Sequence, residues 1–434
     1  MQRSDFELMA PAGSREALAA AVQAGADSVY FGVGELNMRA LASSAFTVEN
    51  LPEIVGFVHE HGVKAYLTVN TVVFDEDMPE VERVLDAARA AQIDAVIASD
   101  VAVIAACRSR GIEVHLSTQL NIANTAALRF YARDADVAVL ARELTLEQIA
   151  CIARAIDEED IRGPSGRPVR LELFCHGALC MAASGRCYMS LHTRGKSANR
   201  GACLQTCRRS YVLKDAERDI ELELANGYLL SPKDLKTIDF LDRIVAAGVR
   251  VFKIEGRARG PEYVHAAVAC YDEALSAVAD GTFSPQKVEG WNARLSEVFN
   301  RGFWDGYYLG ERVVALAGGY GSQATRRKRF AGKCVNYFAR AGVAQFLIQA
   351  EGFEKGARLL VTGPTTGAVE FDAAQIVCDE AELDHCRQGQ SITVKVPSRV
   401  RENDKLYVME LRTGNDAGKD EGQDAGKDEA GKSS

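Results

Sequence analysis

The chain has no run of about 18 consecutive apolar residues, the length that a membrane-spanning helix needs. Its beginning, Met1 to Glu7, also lacks the basic stretch and apolar core of a secretory signal peptide. We therefore expect a cytoplasmic protein with no membrane partner. Because most thiols stay reduced in the cytoplasm, the eleven cysteines are not expected to form a disulfide framework.

Three common catalytic or binding motifs are missing as well. The sequence contains neither the H-E-x-x-H motif of zinc metalloproteases nor the G-x-S-x-G motif of serine hydrolases. Gly195-Lys-Ser197 looks like the end of a phosphate-binding loop, but Ser190 occupies the position where that motif needs its first Gly. Standard protease and nucleotide-binding assignments are therefore unsupported.

Acidic residues are absent from one segment of an otherwise acidic chain. The 434 residues carry a formal net charge of −9, yet no Asp or Glu occurs between Leu173 and Leu213. Six basic residues lie in this segment: Arg186, Arg194, Lys196, Arg200, Arg208 and Arg209. A local excess of positive charge attracts anions even when the whole protein is acidic. The segment is thus predicted to bind phosphate or carboxylate groups.

The same segment contains four closely spaced cysteines: Cys180, Cys187, Cys203 and Cys207. Four thiolates suit either a tetrahedral zinc ion or an iron-sulfur cluster. The gap between the first two is wider than zinc ribbons usually have, but spacing alone does not decide between the two groups. Buried structural cysteines are a third alternative, which the polar neighbours Gly185, Arg186 and Asn199 disfavour.

Eight short apolar stretches alternate with amphipathic helical stretches over the first two thirds of the chain. They are Phe6 to Met9, Ser28 to Phe31, Lys64 to Val69, Ala95 to Ala98, Glu113 to Ser117, Val137 to Leu140, Leu171 to Phe174 and Arg250 to Ile254. Continuous apolar strands that follow helices ending in Gly indicate parallel strands buried on both faces. Eight of them over about 250 residues or more predict an α/β fold, a TIM-like (β/α)8 barrel, in preference to a doubly wound open sheet.

The chemistry of such a barrel lies at the C-terminal ends of its strands. This rule nominates Asn70, Asp100, Gln119, Asn121, Arg142, Glu143, His176, Lys253, Glu255 and Arg257. The cysteine segment follows the seventh strand as an insertion over 175–227, whereas βα loops usually have roughly two to six residues. We expect this insertion to lie over the barrel mouth.

Two helix starts carry recognisable signals. Thr145-Leu-Glu-Gln148 reads as a capping box, and Ser231-Pro-Lys-Asp234 places Pro at a first helical position. Each is predicted to begin a helix.

The composition changes after the barrel. We expect a barrel domain over 1–312, a basic linker over 313–330 that includes Arg326-Arg-Lys-Arg329, and a small all-β barrel over 331–412. The polar, repetitive tail over 413–434 has nothing to bury and is predicted to be disordered.

Three stretches of the cysteine segment carry a family resemblance: Glu172 to Cys180, Ser184 to Ser190 and Asn199 to Arg208. Together with Leu8 to Gly13 and Lys253 to Arg257, they resemble the signature of the peptidase U32 family. The resemblance extends over about residues 6 to 410 and implies a barrel with a C-terminal β-domain.

The family name implies a collagenase-like peptidase, but better understood members are oxygen-independent hydroxylation proteins with a 4Fe-4S cluster. One group acts on the tRNA wobble uridine to give 5-hydroxyuridine and requires prephenate. Others act on a ribosomal RNA cytidine or on ubiquinone precursors. The layout of this chain is most similar to the tRNA group, which implies an enzyme that binds the anticodon loop, alone, as a homo-oligomer or with a partner subunit.

The resemblance also implies roles for individual residues. The four cysteines match the cluster ligands, with Cys207 the least secure and zinc as the alternative metal. Arg142, Lys253 and Arg257 are candidates to clamp a prephenate-like dianion, and Glu143 and Glu255 are candidate acid-base groups. His176 is a further catalytic candidate. Contacts to RNA or other anions are expected from Arg186, Arg194, Arg200, Arg208, Arg209, Arg326, Arg327 and Arg329.

Overall fold

The structure is a computed structural model that describes residues 1–42, 45–215, 220–222, 228, 230–319 and 321–412. The predicted tail over 413–434 lies outside these residues, as does part of the predicted insertion. No helix within the described ranges is long and apolar enough to cross a membrane.

The N-terminal part of the described chain contains twelve strands: β1 (Glu7–Pro11), β2 (Ser28–Phe31), β3 (Lys64–Val69), β4 (Ala95–Ala98), β5 (Val114–Leu116), β6 (Val137–Val139), β7 (Arg170–Gly177), β8 (Leu213–Asp215), β9 (Ile220–Leu222), β10 (Asp234–Lys236), β11 (Val251–Ile254) and β12 (Phe303–Trp304). Strands β1 to β7 pair in parallel with their sequence neighbours, and β11 closes the sheet by pairing with both β7 and β1. The predicted (β/α)8 barrel is therefore confirmed.

Helices surround the barrel: α1 (Arg15–Gln23), α2 (Leu51–Glu60), α3 (Met78–Ala90), α4 (Val101–Ser109), α5 (Thr125–Ala132), α6 (Leu146–Glu158), α7 (Met189–Arg194), α8 (Leu241–Ala246), α9 (Pro261–Ala279) and α10 (Pro285–Glu297). The capping box predicted at the start of α6 is present, because Thr145 and Gln148 each accept a hydrogen bond from the other's backbone N–H. Such caps satisfy N–H groups that the first helical turn leaves without partners.

Residues alternate between the two faces of each barrel strand. Leu8 and Phe252 pack outward into the core formed with the helices, whereas Met9 and Tyr30 belong to a smaller cluster inside the barrel. Both faces are therefore buried, which explains why the strand sequences are continuously apolar.

The end of β7 carries an additional strand. Leu235 and Lys236 of β10 pair antiparallel with Gly177 and His176, and β10 also pairs with β12. The helix predicted to start at Ser231 is wrong: Ser231 forms no helix start, and Asp234 already lies in the strand. Tertiary pairing with β7 overrides the local helix signal there.

The C-terminal part is an antiparallel sheet of eight strands in the described chain: β13 (Arg326–Phe338), β14 (Val343–Ile348), β15 (Arg358–Gly363), β16 (Gly367–Asp372), β17 (Ile376–Cys378), β18 (Ala381–Leu383), β19 (Ser391–Lys395) and β20 (Lys405–Leu411). It has its own apolar core, centred on residues such as Phe346, Leu359 and Leu406. It packs on the barrel through Gln23 of α1, whose side chain bonds the backbone of Thr366 and Ala368.

The basic residues Arg326 to Arg329 do not form the predicted linker but begin a strand. Arg326 to Arg329 are the first residues of β13, which pairs with β20. Arg326 and Lys328 reach Glu297 and Glu262 on the barrel helices, while the alternate residues point to the other face of the strand. These cations therefore attach the sheet to the barrel.

Candidate functional site at the barrel mouth

A cavity with about 1150 Å³ of empty space, its solvent-open part included, lies at the C-terminal ends of the barrel strands. The insertion after β7 forms its outer wall, as the sequence predicts. The cavity brings together eleven of the nominated residues: Asn70, Gln119, Arg142, Cys180, Cys187, Cys203, Cys207, Arg208, Lys253, Glu255 and Arg257. Residues more than 180 positions apart in sequence thus meet because parallel strands end at the same rim.

The four cysteines of the insertion all line this cavity as free thiols. The Cys187 backbone N–H donates to the Asn199 side chain at 3.1 Å, which joins two parts of the insertion around the thiols. Burial raises the pKa of the Cys207 thiol, and the other three thiols act in the same direction while Arg208 opposes them. The thiols are therefore near enough to influence one another.

The thiols do not converge on one point. In the described part of the chain, no three His, Cys, Asp or Glu side chains lie close enough together to hold a single metal ion. A cluster spreads its iron atoms over several ångströms, so its thiolates stand farther apart than the ligands of one zinc ion. Four thiols around one cavity, flanked by cations, are a donor set that suits an iron-sulfur cluster.

Three guanidinium groups in the cavity wall have only neutral hydrogen-bond partners among the described residues. Arg142 donates to the Ala178 carbonyl, and Arg208 donates to the carbonyls of Leu179 and Pro232 and to a serine hydroxyl. Arg257 donates to Asn37 Oδ1 at 3.0 Å and to Thr68 Oγ1 at 2.9 Å. Such groups remain able to form strong charge-assisted bonds with an anion.

Arg257 is the most buried of the three, with 5% of its surface exposed. Burial lowers its pKa to about 10, partly compensated by Tyr30 and Glu255. Its two acceptors belong to the loop after β2 and to strand β3, so they fix the guanidinium on one side of the cavity. A buried charge without a carboxylate bonded to it favours an anionic ligand as its missing counterion.

Glu255 is the carboxylate nearest to this group of cations. Burial acts to raise its pKa, but Arg39, Arg259, Arg142 and Arg257 outweigh burial and lower it. Arg39 bonds it at 3.2 Å and also lies in the cavity wall near the thiols of Cys180 and Cys203. The sequence analysis did not nominate Arg39, because it lies within the loop after β2 and not at a strand end.

Lys253, unlike Arg142, Arg208 and Arg257, has a carboxylate partner. Its ammonium lies 2.8 Å from Glu172, and both side chains are almost completely buried inside the barrel. Burial lowers the pKa of Lys253, and Glu172 opposes this effect. Lys253 also lies 4.5 Å from the centre of the Tyr30 ring, and both residues line the cavity.

Two amides complete the polar wall. Asn70 accepts from the Met38 backbone N–H and donates to Ser117 Oγ at 3.3 Å, and Ser117 in turn donates to Gln119. Ser117 and Thr68 also line the cavity and were not nominated, although their inward positions at the ends of β5 and β3 follow from strand alternation. The wall therefore offers several hydrogen-bonding groups of fixed orientation.

Four of the nominated strand-end residues lie outside the cavity lining: Asp100, Asn121, Glu143 and His176. Asp100 caps helix α4, because its side chain accepts a hydrogen bond from the Ala102 backbone N–H. Glu143 is exposed to solvent. His176 is buried among Tyr263, Tyr271 and Phe303, where burial lowers its pKa to about 3. Its imidazole is thus neutral and packed against aromatic rings, a position that follows from the pairing of β7 with β10.

The neighbouring Cys175 is equally inaccessible. Its thiol is fully buried and donates to the Lys253 carbonyl, and burial raises its pKa well above the usual value. A nucleophilic cysteine requires a lowered pKa and access to substrate. This thiol has neither property.

The remaining cations expected to contact anions occupy different environments. Arg186, Arg194 and Arg209 are exposed on the insertion. Arg200 forms a two-point ion pair with Asp77, at 2.7 and 3.0 Å. Arg326, Arg327 and Arg329 form ion pairs within and beside β13.

Comparison with known proteins is consistent with this geometry. The model of peptidase family U32 matches residues 13–316. A protein named collagenase from Porphyromonas gingivalis is 52% identical over 412 residues, which are 95% of this chain and 100% of the relative. A tRNA hydroxylation protein from Bacillus subtilis is 35% identical over 302 residues, 68% of this chain and 69% of the relative. A 23S rRNA 5-hydroxycytidine synthase from Escherichia coli is 37% identical over 280 residues, 63% of this chain and 40% of the relative. The chain belongs to peptidase family U32.

Proposed function

We propose that this protein is an iron-sulfur-dependent enzyme that hydroxylates the wobble uridine of tRNA to 5-hydroxyuridine without molecular oxygen. One observation carries the proposal: four thiols and three guanidinium groups with only neutral partners line the same cavity at the barrel mouth. Relatives whose names state tRNA hydroxylation and rRNA hydroxycytidine synthesis support an RNA base as the substrate.

Cys180, Cys187, Cys203 and Cys207 would hold a 4Fe-4S cluster, which when bound supplies electron transfer or a Lewis-acidic iron. Arg39 and Arg208 lie beside these thiols and offset the negative charge of four thiolates. The chain itself thus provides both the ligands and the counterions.

The guanidinium groups favour a small dianion as the second ligand, with prephenate as the proposed co-substrate. Arg257 and Arg142 present planar donors that match the geometry of a carboxylate. Lys253 adds a point charge close to Arg257, since Arg257 is one of the groups that lower the pKa of Lys253. Two carboxylates bound there would relieve the repulsion among these cations.

The base would enter the remaining polar part of the cavity. Asn70 and Gln119 carry amide groups that can donate to or accept from the edge of a uracil ring. An anticodon-loop base is unpaired and costs little to displace from its stack. Glu255 is ionised in this setting, because four arginines lower its pKa, and so could accept a proton from the base or the co-substrate.

A peptidase activity is the second candidate, favoured by the 52% identical relative named collagenase. A thiol peptidase needs a nucleophile and a base within hydrogen-bonding reach. Cys175 and His176 are buried and bonded to other groups, so they do not form such a pair. Hydroxylation of another RNA or of a quinone precursor shares the cavity chemistry and differs only in the substrate.

Nucleoside mass spectrometry on tRNA from cells that lack the gene tests the proposal. We expect 5-hydroxyuridine and its derivatives to disappear and to return when the gene is restored, but not when a Cys187→Ser variant is supplied. Unchanged tRNA with a loss of hydroxycytidine from ribosomal RNA would move the substrate to ribosomal RNA. Unchanged RNA with cleavage of collagen by the purified protein would establish the peptidase activity instead.

A further inference from the structure

Tyr188 is a large aromatic residue beside the cavity for which the fold provides no partner. It leaves 72% of its surface exposed, and its ring stacks on no other ring in the part of the chain that the structure describes. The preceding residue, Cys187, lines the cavity wall. The Tyr188 ring is therefore one residue away from the site and free to contact a ligand that approaches it.

A second apolar side chain accompanies it. Leu191 lies three residues later in the short helix α7 and is 41% exposed. Tyr188 is the N-cap of α7 and Leu191 is its third residue, and we refer to these two exposed side chains as the apolar platform. Contiguous exposed apolar surface next to a functional cavity is typical of a binding site.

Exposed cations without counterions flank this platform. Arg186, Arg194, Lys196 and Arg209 are all exposed, and none of them forms an ion pair with the described residues. Cations on the outer barrel helices behave differently: Arg129, for example, pairs with Glu159. The unpaired charges are a consequence of the segment that contains no Asp or Glu.

We infer that this surface binds single-stranded nucleic acid, with Tyr188 stacking on a base next to the one that enters the cavity. We call the surface the insertion face and define it as Arg186, Tyr188, Leu191, Arg194, Lys196 and Arg209. The inference rests on the proposed function, because it takes RNA as the substrate and adds the chemistry that would hold its flanking nucleotides.

The combination of groups is specific for unpaired strands. Lysine and arginine attract phosphates of any nucleic acid, but a ring stacks only on a base whose face is exposed. In a duplex the base faces are covered by neighbouring pairs. The platform beside the cations therefore favours an unpaired loop over a helix of equal charge.

Fluorescence anisotropy with the anaerobically purified full-length protein tests this inference. The probe is a labelled uridine-rich RNA of about ten nucleotides, compared with a duplex RNA of the same length. We expect Tyr188→Ala to weaken binding of the single strand about tenfold, through loss of one stacked base, and to leave duplex binding unchanged. Tyr188→Phe retains the ring and should bind like the unmodified protein.

A matched control is available on an outer helix of the barrel. Phe130 on α5 is 54% exposed and has the Arg133 guanidinium 4.2 Å from its ring centre, so it presents an aromatic ring and a cation without bordering the cavity. Phe130→Ala should not change binding. Equal weakening by both alanine variants, or no weakening by Tyr188→Ala, would overturn the inference.

The salt dependence tests the cations separately. An Arg194→Gln, Lys196→Gln double variant should reduce the slope of log affinity against log salt concentration by about 1.4 for two lost phosphate contacts. The control Arg108→Gln, Arg129→Gln double variant removes the same charge from ion-paired positions and should leave the slope unchanged. Poly-glutamate that bound as tightly as RNA, with the same dependence on Tyr188, would assign the face to an acidic protein and contradict the inference.

This binding test separates the inference from the proposed function. Tyr188-dependent binding of single-stranded RNA together with unchanged tRNA nucleosides in cells lacking the gene would support the insertion face and reject the wobble uridine. If 5-hydroxyuridine were lost but Tyr188→Ala bound RNA as tightly as the unmodified protein, the results would support the tRNA substrate and reject the insertion face.

Discussion

The barrel mouth and strand β13 both carry clustered cations, but the two clusters have opposite surroundings. Each cation at the start of β13 has an acidic partner, such as Glu410 for Arg327 and Arg329 or Glu262 for Lys328. At the mouth, Arg142 and Arg257 bond only neutral oxygens among the described residues. The cations of the insertion face have no ion-pair partners there at all.

This difference shows that clustered positive charge has two uses in one molecule. Paired cations contribute to stability: Arg326 and Lys328 join the sheet to the barrel helices, while Arg327 and Arg329 join two strands of the sheet. Cations without acidic partners create a positive electrostatic potential that attracts an anionic ligand. A count of basic residues does not distinguish the two uses, whereas the position of the acids does.

The largest effect is expected from removing a thiol at the mouth. Cys187→Ser should abolish cluster binding, because an open iron site remains where the thiolate was. Iron and acid-labile sulfide, measured on anaerobically purified protein, should fall from about four of each per chain to near zero. Cys378→Ser, a change of a partly exposed thiol in the C-terminal sheet, is the control and should retain both. Full iron content in Cys187→Ser would remove Cys187 from the ligand set.

Lys253 has a completely buried carboxylate partner, so its loss should also cost stability. Lys253→Met leaves the Glu172 carboxylate in the barrel interior without its ammonium partner, which we expect to cost about 3–5 kcal/mol of unfolding free energy. Adding Glu172→Gln should restore most of that loss. Urea unfolding of the two single variants and the double variant measures the coupling, and simple additivity would contradict the pairing.

Acid should weaken the end of the barrel opposite the mouth, where Glu7 begins β1 and is paired with Lys64 and Arg170. Burial acts to raise the pKa of Glu7, but Arg170, His115 and Lys64 outweigh it and lower the pKa from 4.5 to about 2. A lowered pKa in the folded state gives stability that is present above pH 4.5 and lost as pH falls towards 2. This loss should amount to about 3 kcal/mol at most.

The measurement is thermal unfolding across that pH range, with Glu7→Gln as the test variant. Its stability should depend less on pH between 4.5 and 2 than that of the unmodified protein. If the stability of Glu7→Gln depended on pH as steeply as that of the unmodified protein, the neighbouring cations would not lower the pKa of Glu7.

Arg257 tests whether an unpaired cation acts through its geometry or only through its charge. Arg257→Lys keeps the charge but loses the planar fork, so prephenate binding measured by calorimetry should weaken about 10- to 100-fold. The cluster should remain intact, as judged by iron content. Arg250→Lys, a change at the opposite end of the same barrel strand, should bind prephenate normally. Equal binding by Arg257→Lys would exclude this residue from the anion site.

The smallest expected effect is a difference in unfolding free energy between a variant of a β13 cation and a variant of an insertion-face cation. Arg329 bonds Glu410 and two backbone carbonyls, so Arg329→Ala should lower the unfolding free energy by about 1–2 kcal/mol. Arg194→Ala removes an exposed cation without a partner and should change it by less than about 0.5 kcal/mol. Thermal unfolding of both variants makes the comparison. A larger loss for Arg194→Ala would mean that the insertion face serves stability.

The barrel was predictable because its signals are local. Apolar strands, glycines after helices and the capping box at Thr145 each depend on a few adjacent residues. Strand phase then identified the rim residues Asn70, Gln119 and Lys253. The helix predicted at Ser231 failed because the same residues gain more from pairing with the end of β7.

Parts of the site were not predictable, because they depend on contacts between distant residues. Arg39 lies in a loop that carries no strand-end signal, yet the fold brings it to Glu255, 216 positions away. Arg200 resembled the other cations of its segment until its pairing with Asp77 was known. His176 lies near the end of β7, but packing against β10 and aromatic rings takes it out of the cavity.

By itself the sequence determined the barrel, the four thiols and the segment without acidic residues, since these follow from residue type and short-range spacing. Only the tertiary structure decided which cations have acidic partners. A charge is neutralised by whatever lies within a few ångströms of it, and those neighbours come from strands and helices far apart in the chain. The fold therefore decides that the cations of β13 are used in ion pairs while Arg142 and Arg257 at the mouth remain available to a ligand.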